Sequence, residues 1–240
     1  MPYKTFNIEE AAEYLSIEVS ELNELVKNGK IPFEHRGNRI VFKKGDIDDW
    51  SSKRILGMET NNLKKYHQTT TSKNQLSEAA LMPLLLKAEY ISPALTGKTK
   101  PSIIREMAAL ANKTGLVSDI EELTGELIKR EELCSTGLPG GIAILHTRTR
   151  HPYMFSNSFI ALGRSLQKIY FGAPDGEPTD LFFLICSKED QLHLNILARL
   201  CLMSHNTDML EALRTAEDSN QMFNIIIKTE EEILQKKSLH

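Results

Sequence analysis

Apolar positions change rhythm twice along this chain, and each change marks a boundary. In the first stretch Ile8, Ala11, Ala12 and Leu15 recur at i, i+3, i+4 and i+7, the stripe of a short amphipathic helix. Asn7, followed three residues on by Glu10, resembles a capping box that would begin it. Leu22, Leu25 and Val26 form the inner face of a second helix, with Gly29 as a left-handed stop and Pro32 barring continuation. Phe33 to Phe42 predicts two strands about the turn Gly37-Asn38, and Asp46 starts a last short helix that carries Trp50 as a core plug.

From about Ser51 to Gln75 the rhythm disappears. Asn61-Asn62, Lys64-Lys65 and Thr69-Thr70-Thr71-Ser72 are polar, and the few apolar residues have no period. This composition predicts a flexible linker over 55–75, with at most a helical stub at Lys53–Met58. It separates a small domain over 1–54 from a larger one over 76–236.

In the larger part strand and helix patterns mix. Ile103, Met107, Leu110 and Ala111 define a helix over 102–114, and Asp119 caps another that carries Leu123, Leu127 and Ile128. Glu189–Met203 reads as a strong amphipathic helix with Leu192, Ile196, Leu197 and Leu200, and helices over 208–215 and 221–234 follow. Short strands are predicted at Gly141–Leu145 and Phe159–Leu162, and Ile169–Ala173 and Leu181–Cys186 flank the hairpin chemistry of Pro174-Asp175-Gly176-Glu177. The expected class is α/β, a layered mixed sheet flanked by helices, preceded by a small helical unit with a hairpin.

Composition adds exclusions. Apolar residues make up 41% and charged residues 25%, enough for an ordinary core. The net charge of −3 gives no global basic field to attract nucleic acid. The longest apolar runs, such as Leu181–Cys186, fall far short of the ~20 residues that span a bilayer. With no apolar signal core at the start and with three scattered cysteines, the expectation is a cytoplasmic chain with reduced thiols, Cys186 and Cys201 serving as core residues. No metal set of matching spacing accompanies the pair His146 and His151, and no cofactor is expected.

Candidate chemistry concentrates in one segment, Arg130 to His146: a helix end with a cation, a hydroxyl- and glycine-rich loop, and a short strand that delivers a histidine. Neutral imidazole is a competent nucleophile near neutral pH. Arg130 offers a planar fork for phosphate oxygens. The loop Ser135, Thr136, Gly137, Gly140 and Gly141 offers hydroxyls and unobstructed backbone N–H groups. Phosphoryl transfer needs mainly positioning and charge stabilisation, so this kit suffices in kind. It requires a solvent-reachable ring within contact range of the guanidinium and the loop amides.

The run R-E-x-L-x-S-T-G-x-x-x-G-I-A-I-x-H resembles the phosphorylation-site signature of the fructose/mannitol/nitrogen type of phosphotransferase-system IIA domain. The resemblance covers roughly Gln75 to Leu234 and includes Thr99-Lys100, the Phe171–Pro178 hairpin and Glu189 to Leu194. It implies a phosphotransferase component in which His146 takes phosphate from an HPr-like carrier through Nε2, with Arg130 neutralising the group. His193 matches a second histidine beside the acceptor in mannitol-type members and would donate a hydrogen bond to the phosphoryl group or orient it. A IIB-type protein or a regulated target would receive or sense the phosphate. Two positions depart from the signature: Leu145 where the family commonly has proline, and Pro139 where it usually has glycine.

The first 50 residues resemble the winged helix-turn-helix of the excisionase and MerR-like group, on Ile8 to Leu15, Leu25 to Pro32, Gly37 to Phe42 and Asp46 to Trp50. The resemblance implies DNA contact through the second helix, with Lys27, and through a wing carrying Arg36, Arg39, Lys43 and Lys44. Against it, the second helix exposes Glu18, Glu21 and Glu24, and residues 1–54 hold nine Lys/Arg against ten Asp/Glu, a net −1. Two classes therefore stand: a phosphotransfer regulator, or a DNA-binding or protein-docking module whose IIA part only senses phosphate or is inactive.

Overall fold

The computed structural model describes residues 4–73, 80–148 and 153–235. The N-terminal unit runs β1 (Thr5–Phe6), α1 (Ile8–Leu15), α2 (Val19–Lys27), β2 (Glu34–Arg36), β3 (Arg39–Lys43) and α3 (Lys44–Leu56). The capping box at α1 is complete: Glu10 N donates to Asn7 Oδ1 at 2.8 Å and Asn7 N to Glu10 Oε2 at 2.9 Å. The three strands pair in the order β1-β3-β2, and Ala11, Leu15, Leu22, Phe42 and Ile47 close a small core beneath them. Trp50 is half-buried and packs against the edge of that core. Its indole N–H donates to Lys30 O at 2.6 Å and the Arg54 guanidinium stacks 5.1 Å from its ring.

The expected linker is helical. Helix α3 continues to Leu56, and α4 spans Thr60–Lys73. Ile55 and Leu63 insert into the core of the larger unit, and His67, one turn beyond Leu63, is buried too. Four-residue spacing between Leu63 and His67 was too sparse a signal in a run of threonines and lysines, yet tertiary packing decides such helices more than propensity does.

The larger unit follows as α5 (Met82–Leu85), a 3₁₀ turn, β4 (Ile91–Leu95), α6 (Lys100–Asn112), α7 (Ile120–Leu133), β5 (Gly137–Leu138), β6 (Ile142–His146), β7 (Phe159–Ile169), β8 (Thr179–Cys186), α8 (Asp190–Ser204), α9 (Thr207–Thr215) and α10 (Ser219–Gln235). The sheet is mixed, in the order β4-β7-β8-β6-β5. Strand β8 lies parallel to β6 and antiparallel to β7, and all eight of its residues are buried, which explains its unbroken apolar run. Strand β7 is one strand of eleven residues where two short pieces were expected, with a register shift between Arg164 and Ile169. Strand β4 escaped the pattern because Pro93 breaks it, a residue tolerated here at the sheet's edge.

Helix α8 is not amphipathic in place. Every residue from His193 to Ser204 is buried, because the sheet lies on one side and α3 and α4 pack on the other. At its middle Arg199 forms a buried ion pair with Glu230 of α10 and donates from Nε to His67 Nε2 at 2.8 Å. Glu230 also accepts from the amides of Leu81 and Met82, both at 2.9 Å. One carboxylate thus ties α8, α10 and the start of α5, while His67 ties α4 to the same guanidinium. Among the described residues no helix is long and apolar enough to cross a membrane.

Candidate active site

Parallel pairing of β6 with β8 sets His146 opposite Ile185 and delivers the imidazole to the C-terminal end of both strands. Two hydrogen bonds define the ring. Nδ1 lies 2.9 Å from the Ile144 carbonyl oxygen, which can only accept, so Nδ1 carries the proton and Nε2 the lone pair. Arg130, in the last turn of α7, donates from Nε to that Nε2 at 3.3 Å. Its Nη1 donates to the carbonyl of Cys134 at 2.8 Å, which fixes the guanidinium at the helix end. Its Nη2 is buried and has no hydrogen-bond partner among the described residues, an arrangement that costs free energy until an acceptor arrives. The His193 ring, from the first turns of α8, sits 5.1 Å from that of His146, centroid to centroid. The structure therefore brings together Arg130, His146 and His193.

It does not bring the glycine turn with them. Gly140 and Gly141 stand at the N-terminal end of β6, five residues and roughly 16 Å of strand from His146. Their groups serve a structural clasp: Gly140 N donates to Asp175, Arg214 donates to Gly140 O, and the amides of Asp180 and Leu181 donate to Gly141 O. Thr136 gives both its amide and its hydroxyl to Glu131, at 3.1 and 2.6 Å. Ser135 donates to Phe171 O and accepts from Gly137 N, and Gly137 packs against Ala173. Gly140 and Gly141 leave the expected cradle because antiparallel pairing of β5 with β6 carries their turn away from the histidine, while the start of the loop returns alongside β6, Ile144 N donating to Thr136 O at 3.1 Å. Both signature departures lie off the imidazole as well. Leu145 faces the opposite side of the strand in the core, and Pro139 is in the distant turn.

Sequence reasoning missed Glu131 and undervalued Lys100. Glu131 is buried next to Arg130, yet its charge is met by Lys100 Nζ at 2.9 Å and by Thr136, leaving the Arg130 charge available to the histidine. Lys100 also lies over the Phe171 ring at 4.6 Å. The signal was present as the acidic neighbour of Arg130 in a helix end, where the dipole disfavours an unpaired carboxylate.

One requirement is not met as expected. His146, His193 and Arg130 are each only 1% exposed. The segments flanking both histidines are covered by the N-terminal unit. Lys44 pairs with Asp190 at 3.0 Å, Gln191 donates to the Tyr14 carbonyl at 2.7 Å, and Ser16 reaches Gln191 at 3.4 Å. Arg148, two residues past His146, faces Asp46 at 3.6 Å and Asp49 at 3.4 Å. These contacts also withdraw Lys44 from the expected wing surface, and Lys43 is paired with Glu34. Arg36, Arg39 and Lys27 remain exposed, as do Glu18 at the N-cap of α2 and Glu24 within it, while Arg54 ties down Glu21. His151 lies outside the described residues.

A five-stranded mixed sheet that presents a histidine pair and a helix-end arginine at its strand ends defines a IIA-type phosphocarrier fold. The profile described as "Phosphoenolpyruvate-dependent sugar phosphotransferase system, EIIA 2" matches residues 84–229, and the chain belongs to that family. A helix-turn-helix profile matches residues 5–54. The "PTS system fructose-specific EIIABC component" of Bacillus subtilis is 31% identical over 144 residues, 59% of this chain but 22% of that protein. The "Nitrogen regulatory protein" of Bradyrhizobium diazoefficiens is 30% identical over 157 residues, 60% of this chain and 95% of its own. Among solved structures, the nitrogen regulatory protein IIA-Ntr of Neisseria meningitidis superposes with a TM-score of 0.56 at 26% identity, covering 61% of this chain and 99% of that one. The Escherichia coli mannitol IIA, 20% identical with a TM-score of 0.53 over 59% of this chain and 98% of its own, shares the fold.

Proposed function

We propose that this chain is a IIA-type phosphoryl carrier and regulator in which His146 takes phosphate from a phospho-HPr-like donor. The observation that carries the reading is the prepared Nε2: its lone pair is left free of a proton by the Nδ1–Ile144 bond and points at a buried guanidinium with a donor to spare. Nε2 attacks phosphorus, the donor's N–P bond breaks, and the electron pair returns to the donor's ring nitrogen. Nδ1 keeps its proton throughout. Arg130 exchanges its N–H···N contact for N–H···O contacts to the phosphoryl oxygens, with Nη2 as the second arm of the fork. His193, across a 5.1 Å ring separation, orients the group. Passage to a IIB-type or regulated protein is the reverse step on a new acceptor.

The test is incubation with phosphoenolpyruvate, a general phosphotransferase and an HPr-type carrier. Acid-labile phosphate on the wild type and none on His146→Ala supports the reading, and label that survives the substitution refutes it. A second reading, DNA contact, rests on the helix-turn-helix match and on the exposed Arg36 and Arg39 of the wing. A gel shift over a salt series decides it, since phosphate contacts weaken steeply with salt.

A further inference from the structure

The polar contacts of the N-terminal unit fall on the segments that flank the histidine pair. We propose that this unit is the resting occupant of the face on which the phosphoryl donor must land, and that phosphate on His146 releases it by drawing Arg148 away from Asp46 and Asp49. The inference rests on the phosphocarrier reading of His146 and adds what that reading lacks, an account of how a buried ring is reached.

A protein donor must bring phosphorus within about 3–3.5 Å of Nε2. At 1% exposure His146 cannot be met in this arrangement, so the closed form accepts no phosphate and labelling proceeds only from the fraction of molecules that open. The cover is built to open. At its rim it is held by polar contacts, Lys44 with Asp190, Gln191 with Tyr14 O, and Arg148 between two carboxylates, while the far end of α3 is anchored in the core through Ile55. Such partly exposed pairs are individually weak.

Arg148 has the geometry of a switch. Its distances to Asp46 and Asp49 give attraction without a good hydrogen bond, and its Nε is buried with no hydrogen-bond partner among the described residues. It is thus held by charge alone, in the bend two residues past His146 where β6 has ended. Phosphorylation adds about 1.5 to 2 negative charges at that ring. The carboxylates of Asp46 and Asp49 on α3, which Arg148 now faces, and that of Asp190, three residues before His193, then lie beside a new anion. Arg148 gains a stronger partner in the phosphoryl oxygens, and α3 loses its cation and acquires a repulsion. Opening at this rim exposes α1, the first turn of α3 and Lys44, with the far end of α3 still anchored through Ile55, so the phosphorylation state is written into the availability of the helix-turn-helix.

The experiment uses the full chain and two readouts, the rate of phosphate incorporation from phospho-HPr and the radius of gyration by small-angle X-ray scattering. The wild type is expected to be compact without phosphate and expanded with it, and His146→Ala compact under both conditions. Asp46→Lys combined with Asp49→Lys should be expanded without phosphate and label about five- to thirtyfold faster. Because charge reversal could unsettle α3, Lys44→Asp and Asp190→Lys provide a second set. Each alone should speed labelling, and the two together, which restore an opposite-charge pair, should return it towards the wild-type rate. A wild type that takes up phosphate yet stays compact, or variants that label no faster, overturn this inference and leave the carrier reading intact. Absence of label even in an expanded variant overturns the carrier reading and this one with it.

Discussion

Replacing Glu230 by Gln would remove one charge from a fully buried pair and leave the shape unchanged. Arg199 and Glu230 are 1% and 0% exposed at their side chains, so the remaining guanidinium has no water to turn to. Breaking a buried pair in this way costs about 3–5 kcal/mol. The glutamine oxygen can still accept from one of the two amides, Leu81 or Met82, that Glu230 now holds at 2.9 Å, and the other loses its partner. With a urea dependence of about 2 kcal/mol per molar, the unfolding midpoint of the larger domain should fall by roughly 2 M. Adding Arg199→Met removes the orphaned charge and should recover at least about 1 kcal/mol, so the double variant is more stable than Glu230→Gln alone. Equilibrium unfolding followed by circular dichroism measures both. A midpoint shift below about 0.3 M for the single variant, or a double variant with the summed loss of both singles, would refute the claim that this pair is a buried, charge-coupled tie.

Other expectations follow from the same structure. Arg130→Met should lower the rate of phosphate uptake by about a hundredfold or more while leaving the unfolding midpoint within about 1 kcal/mol, since it removes donors to a developing charge; rapid-quench labelling measures the rate. Alkaline conditions should destabilise the fold. Burial raises Tyr66 and Cys201 to about 12 and Cys186 well above its ordinary value, so the folded chain keeps protons that the unfolded chain releases from about pH 8.5 upward. That contribution is complete below the unfolded pKa values and is lost as pH rises towards about 12, which a series of urea midpoints between neutral and alkaline pH would show. At Gly163 an added Cβ would stand 2.5 Å from Leu95 Cδ1 and 2.6 Å from Met107 Sδ, both buried side chains, so Gly163→Ala should cost about 1–3 kcal/mol in the same unfolding assay.

Local chemistry was legible where neighbours in sequence are neighbours in space. The capping box at Asn7, the Asp119 cap, the Gly37 turn and the β6 strand that ends in His146 are all set within a few residues, and the pattern found them. The Arg130–His146 contact joins residues sixteen apart through one loop, short enough for a signature to carry it. What failed depends on partners far along the chain. Helix α4 exists because Leu63 and His67 meet α8, not because its threonines favour a helix. The glycine turn was assigned to the imidazole by proximity in sequence, whereas five residues of extended strand separate them. The burial of the histidine pair was invisible for the same reason, since it follows from Arg148, Asp190 and Gln191 meeting a unit some 140 to 175 residues away in sequence for α8 and about 100 for Arg148.

Phosphorylating the ¹⁵N-histidine-labelled chain from phospho-HPr and recording long-range ¹H–¹⁵N correlations of its imidazoles identifies the nitrogen that receives the group. Phosphate on Nε2 of His146, with Nδ1 still carrying its proton towards Ile144, is the predicted result. Phosphate on Nδ1, or on any residue other than His146, would contradict it.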